Sequence, residues 1–260
     1  MNLFDRYIGI DYSGARTPEA SLPGLRVFVA ERIGIPQEVN PPPSPRKYWT
    51  RRGIAEWLTT ILQERPRTIV GIDHAFSFPI NYFKQHGIQQ NWDVFLDDFC
   101  AYWPTDTPNT YVDFIRDGTI GKGTDRMGDR RWRRITETHA PHAHSVFHFD
   151  VQGSVAKSTH AGIPWLRHLR KDLGSNVHFL PFDGWMPRKD SHVVAEVYPS
   201  LWRHLYPDEG RTPDQQDAFV ACRWLQETDL ANNFDRFVNP PLAPEQRLIA
   251  NVEGWILGVL

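Results

Sequence analysis

Tyr7-Ile8-Gly9-Ile10-Asp11 and Ile69-Val70-Gly71-Ile72-Asp73 are two short apolar runs that each close on an aspartate. Both read as strands. In each, a glycine stands two residues before the acid, and because strand side chains alternate, that glycine lies on the carboxylate's own face. Room is left beside each acid. Val193-Val194-Ala195-Glu196-Val197 looks like a third instance, with Ala195 beside Glu196, and Asp214-Gln215-Gln216-Asp217-Ala218 adds acids on a helical run near the C-terminus. Carboxylates gathered at strand ends with little bulk around them suit a divalent metal.

The surrounding pattern is that of an α/β chain. Leu25 to Ile33 is rich in β-formers and predicts a strand antiparallel to the first. The cluster Pro41-Pro42-Pro43-Ser44-Pro45 predicts loop, with a short edge strand nearby. From Thr50 to Arg65, Ile54, Trp57, Leu58, Ile61 and Leu62 recur at helical spacing, and Pro66 ends the helix. A helix between two strands makes them parallel, which sets Asp73 beside Asp11.

Residues 76 to 190 exceed what one crossover needs and predict a large helical insertion. It holds a helix from Asn91 stopping at Pro104, another opened by Thr107-Pro108, and a third from Ile163 to Leu173 ended by Gly174. Ser200 to Tyr206 predicts a short helix with Leu201, Trp202 and Leu205 inward. Thr212-Pro213-Asp214-Gln215 is a capping box opening a helix to about Thr228. No internal boundary interrupts the chain, so one domain over residues 1–260 is expected.

With 40% hydrophobic residues over 260 positions, a sizeable core is available. A net charge of −2 supplies no global basic field for nucleic acid, so any such contact must come from a local patch. Cys100 and Cys222 sit in apolar helical patterns and read as free core thiols. No signal peptide is visible and the longest apolar tail falls short of a membrane span, so a cytoplasmic protein without membrane attachment is expected.

Ile8-Gly9-Ile10-Asp11-Tyr12-Ser13-Gly14-Ala15, Gly71-Ile72-Asp73-His74-Ala75-Phe76-Ser77-Phe78-Pro79, Glu196-Val197-Tyr198-Pro199 and Asp217-Ala218-Phe219-Val220-Ala221 occur in that order. Together they resemble the predicted-nuclease family catalogued as domain-of-unknown-function family 429, and more broadly the ribonuclease H-like superfamily. The resemblance spans nearly the whole chain. It implies a ribonuclease H-like core with a mixed sheet flanked by helices, and a metal-dependent nuclease activity. The region between Asp73 and Glu196 is much longer than in a minimal ribonuclease H, so substrate recognition does not carry over.

Phosphodiester hydrolysis needs an activated water and relief of charge on the leaving oxygen, and two divalent cations supply both. In this reading Asp11, Asp73, Glu196 and Asp217 are the catalytic and metal-ligating set for Mg²⁺ or Mn²⁺. His74 is a candidate substrate contact or proton shuttle. Arg126, Arg130 and Arg131, in a basic run interleaved with Trp132, are candidates to hold phosphates, and Lys157 is a further contact. Nucleic acid, DNA or RNA, is the expected partner. His139, His142, His144 and His148 lack a third fixed ligand at zinc spacing and read as ordinary histidines. A phosphotransferase or ATPase of the actin and sugar-kinase type shares such a core, although it generally duplicates it. A non-catalytic nucleic-acid-binding module is the remaining alternative.

Overall fold

Alternation along the two aspartate strands decides how the chain is layered. The computed structural model describes residues 3–42, 46–151 and 153–260, so part of the proline cluster, Pro43-Ser44-Pro45, lies outside the described residues. Strand β1 (Arg6–Asp11) pairs antiparallel with β2 (Arg26–Glu31), whose far edge carries the two-residue β3 (Gln37–Glu38). On its other side β1 pairs in parallel with β4 (Thr68–Asp73), then β6 (His192–Glu196), and the three-residue β5 (Val177–Phe179) closes that edge. The result is a mixed six-stranded sheet in the order β3-β2-β1-β4-β6-β5, flanked by helices in an α/β arrangement.

Helix α1 (Arg51–Ile61) makes the crossover between β3 and β4, and its N-cap Thr50 accepts from the Gly53 N–H. Between β4 and β6 run α2 (Ile80–His86), α3 (Trp92–Tyr102), α4 (Val112–Arg116), α5 (Ile135–His139) and α6 (Ala156–Leu173). Helices α7 (Pro213–Leu230), α8 (Phe234–Val238) and α9 (Pro244–Glu253) follow β6. No helix among the described residues is long and apolar enough to cross a membrane.

Ile8, Ile10, Val70, Ile72 and Val194 point to one face, where they pack with residues of α1, α3 and α6. Tyr7, Ile69, Val193 and Ala195 point to the other, which α7 covers. In register across three strands, Gly9 faces Gly71 and Gly71 faces Ala195. These small residues form a smooth floor for α7: a Cβ on Gly9 would lie 2.2 Å from the Ala218 carbonyl oxygen and 2.4 Å from the Cys222 nitrogen. The space expected beside each acid is therefore filled, over Gly9 by the backbone of α7 and over Gly71 by the side chains of Val197 and Leu225, and α7 carries Asp217 in over the strand ends.

Several expectations need correction. Thr107-Pro108 opens a turn, with the Thr110 N–H donating to the Thr107 carbonyl, and Asn109 at φ 61° turns the chain away from helix. Helix α6 starts seven residues before Ile163, at Ala156, because its first half is buried nearly all round and shows no amphipathic period. Pro164 sits inside α6 and cannot donate to the His160 carbonyl, which instead accepts from Thr105 Oγ1 at 2.7 Å. Ser200 to Tyr206 forms two successive 3₁₀ turns, and Leu205 faces outward.

Replacing Gly9 with alanine is expected to lower the unfolding free energy measured in urea by about 2–3 kcal/mol or more, at or above the upper end of overpacking costs, because the obstructing atoms are backbone. An unchanged value would mean that α7 does not depend on this close approach.

Candidate active site

The carboxyl ends of β1, β4 and β6 lie together, the place where open α/β sheets bind ligands. A cleft of about 420 Å³ opens there, lined by Asp11, Asp73, Asp214, Asp217, Lys157 and Tyr198 together with small residues of the 13–15 and 153–158 segments. Parallel register sets Asp11 directly beside Asp73. The capping box at Thr212 starts α7 where expected, which brings its first two turns, with Asp214 and Asp217, to the same edge.

The wall after β1 is built from outside the motif. Arg51, fully buried on α1, donates to the carbonyls of Ser13, Ala15 and Arg16 at 3.1, 2.7 and 2.7 Å. Gly14 lies against the first turn of α6 so closely that a Cβ would sit 2.0 Å from the Lys157 carbonyl oxygen. Nothing in the spacing around Arg51 announces this role.

Burial, then the charges of Asp73, Asp217 and Asp214, hold the Asp11 carboxyl well above its ordinary range. Burial, followed by Asp217 and Glu196, does the same to Asp73. Burial pushes Asp217 up to about 6, with Arg203 opposing and Asp214 adding to the rise. Asp11 and Asp73 have no ion-pair partner among the described residues. Asp217 Oδ1 has no hydrogen-bond donor and only a 3.4 Å ion-pair contact with the exposed Arg203.

Glu196 departs from its expected role as a ligand. It pairs in register with Ile72, not Asp73, so its side chain leaves the sheet on the opposite face from both aspartates. Ala195 precedes it by one residue where the two aspartate strands have glycine two residues before, and that single step decides the face. Both Glu196 oxygens are taken by Arg134, at 2.6 and 2.7 Å, and the Phe76 N–H donates to one of them. Arg134 also donates to Glu137 at 2.8 Å and to the Glu253 carbonyl at 3.3 Å. Burial draws the guanidinium pKa down, yet Glu196 and Glu137 outweigh it and hold the cation charged.

The expected substrate contacts separate. His74 does not line this cleft: it packs against Tyr12, Phe76 and Gly162, borders a small cavity of about 50 Å³ with Asp73 and Glu196, and burial drives it down to about 4. Arg126 is bound to Asp98 and lies over Tyr102; Arg131 is bound to Asp129; Arg130 is exposed. None of the three lines the cleft. Trp132 packs edge-on against Phe147. Lys157 does line the cleft, with Nζ 2.8 Å from Asp113. Sequence reasoning missed Arg134, hidden inside a basic run read as a phosphate contact, and Tyr198, which borders the cleft two residues after β6.

No family model, curated protein or solved structure matches this chain. The fit to a cation must be judged from the side chains themselves. Among the described residues, no three His, Cys, Asp or Glu side chains stand close enough to cage one ion. A pair of carboxylates without cationic partners still fits Mg²⁺, which keeps several waters and is commonly held by one or two carboxylates plus substrate phosphate. The orphaned Asp217 oxygen adds a third acceptor nearby.

A carboxyl whose folded pKa is raised stabilises the fold at acid pH, and that contribution is lost as pH rises through the folded value. For Asp217 the window runs from its ordinary 3.8 to about 6. Without divalent cation, Asp217→Asn is therefore expected to melt above the parent at pH 7.5 and to converge with it near pH 4; thermal melts at both pH values read this. Separately, Arg134→Met, which strands Glu196 and Glu137, is expected to cost about 3–5 kcal/mol in denaturant unfolding.

Proposed function

We propose that this protein is a divalent-cation-dependent phosphoester hydrolase, a nuclease of ribonuclease H-like architecture. The observation that carries the reading is the lateral pair Asp11 and Asp73, abreast at the ends of two parallel strands, facing a cleft and answered by no cationic side chain. The strand sequence supports the architecture: an antiparallel run β1-β2-β3, a helix, then β4 and β6 parallel to β1, then the acid-bearing α7. That is the order in which the sequence resembles the superfamily.

In this reading Asp11 and Asp73 hold Mg²⁺ or Mn²⁺. When bound, the cation polarises a phosphoryl oxygen and lowers the pKa of a water. Asp217 Oδ1, free of donors, is positioned to accept a proton from the attacking water. Lys157 stands on the wall to meet a phosphate oxygen in exchange for Asp113. Arg51 and Arg134 position the cleft, Arg51 through the loop after Asp11 and Arg134 through the end of β6. The modest cleft volume also suits a small-molecule phosphotransferase, which ATP turnover would reveal.

Cleavage of labelled single-stranded DNA and RNA with Mn²⁺ tests the proposal. Asp11→Asn and Asp73→Asn are expected to lower the rate more than about 100-fold, beyond what changes around metal ligands typically cost. Cleavage that persists in both variants, or in excess chelator, would overturn it.

A further inference from the structure

We infer that the cleft takes a single phosphodiester presented at a free end, as in a dinucleotide or the last residue of a single strand, and not the interior of a duplex. The inference rests on the phosphoester reading above and adds the substrate class.

Three observations carry it. The first is room. About 420 Å³ lies toward the low end of small-molecule sites, which run from about 300 to 1,000 Å³. One wall is also fixed in place. The 13–16 loop is pinned by three hydrogen bonds from the buried Arg51, and Gly14 abuts the backbone of α6, so the cleft has no slack on that side with which to widen around a duplex.

The second is charge. Binding along a nucleic acid takes about one Lys or Arg for each phosphate neutralised. Among the described residues, the cleft lining carries four aspartates and one cation, Lys157, itself paired with Asp113 at 2.8 Å. Most of the arginine run is engaged away from the cleft, and its exposed member Arg130 does not line it. Arg126 binds Asp98, Arg131 binds Asp129, Arg133 donates to the carbonyls of Glu137 and Ala143, and Arg134 is buried on Glu196. Provision remains for about one phosphate.

The third is the aromatic wall. Tyr198 is half-buried, stands two residues beyond β6 and borders the cleft beside Asp73, while the other aromatic of the lining, Tyr12, is buried edge-on against His74. The Tyr198 ring offers one face to one base or sugar, which suits a terminal residue and gives no platform for a succession of stacked bases.

The test uses the full chain with four probes: a small diester, the p-nitrophenyl ester of thymidine 5′-phosphate; a linear single-stranded oligonucleotide; a closed circle of the same sequence; and a blunt duplex. With Mn²⁺, the small diester is expected to be hydrolysed and the linear strand shortened stepwise from an end, while circle and duplex stay intact. With Ca²⁺ in place of Mn²⁺, anisotropy reads affinity without relying on turnover. Binding of the linear strand is expected to weaken less than about tenfold between 50 and 200 mM salt, where 6–10 phosphate contacts would cost about 10³–10⁵. Tyr198→Ala is expected to weaken it about 5- to 150-fold, the loss of one stacked base, and Tyr198→Phe to restore it.

Cleavage of the closed circle or the duplex interior at the linear strand's rate, abolished by Asp11→Asn, would overturn the inference and leave the hydrolase reading standing. A steep salt dependence of linear-strand binding would also overturn it. No turnover of any phosphoester with any divalent cation would overturn both.

Discussion

Helix α7 rests on the sheet at a distance that only missing side chains allow. Gly9 lets the helix backbone descend onto β1, and Gly71, in register on the adjacent strand with Ala195 beyond it, makes room for the Leu225 and Val197 side chains. Everything at the candidate site follows from that descent. Asp217 comes within electrostatic reach of Asp11 and Asp73, and Asp214 within reach of Asp11, only because the helix lies low over the strand ends. The same approach buries the acids against apolar surface, which, with their mutual repulsion, raises the free energy of their charged forms. A tight helix contact and an electrostatically uncomfortable cluster are two results of one packing decision.

On the opposite face the balance is struck differently. Glu196 is as near to a strand end as the aspartates, yet it is met by a buried guanidinium and a backbone N–H. Arg134 comes from the stretch before α5, and its contact with the Glu253 carbonyl brings in the end of α9. The pair therefore joins the long insertion, the sheet and the C-terminal helix at one point. Acids that meet at the same strand ends thus have opposite characters, the aspartates left open to a cleft and Glu196 closed by a cation.

Much of the layering was legible in the residues. Period-two alternation in short apolar runs identified β1, β4 and β6, and the capping box at Thr212 located α7, because both signals are local and depend on a few dihedral preferences. The pairing of Asp11 with Asp73 was legible too, as a helix between strands dictates their direction. What escaped was non-local. The face taken by Glu196 turned on one residue of spacing, and the partners of Arg51 and Arg134 lie 35 or more residues away, except for the local contact with Glu137. The first half of α6 was invisible for a related reason: a helix buried on nearly every side has no polar stripe to betray its period. Arg126 and Arg131, read as candidates to hold phosphates, are instead bound to Asp98 and Asp129, since composition records a charge but not its partner.

The brevity of the outermost strands carries a consequence for behaviour at high concentration. An open sheet exposes unpaired amide and carbonyl groups at each border, and long flat borders template the addition of strands from other molecules. Here β3 contributes two residues on one side and β5 only three on the other, the latter buried beneath Trp92. Neither outermost strand offers a long border of its own, which shortens the template available to strands of other molecules.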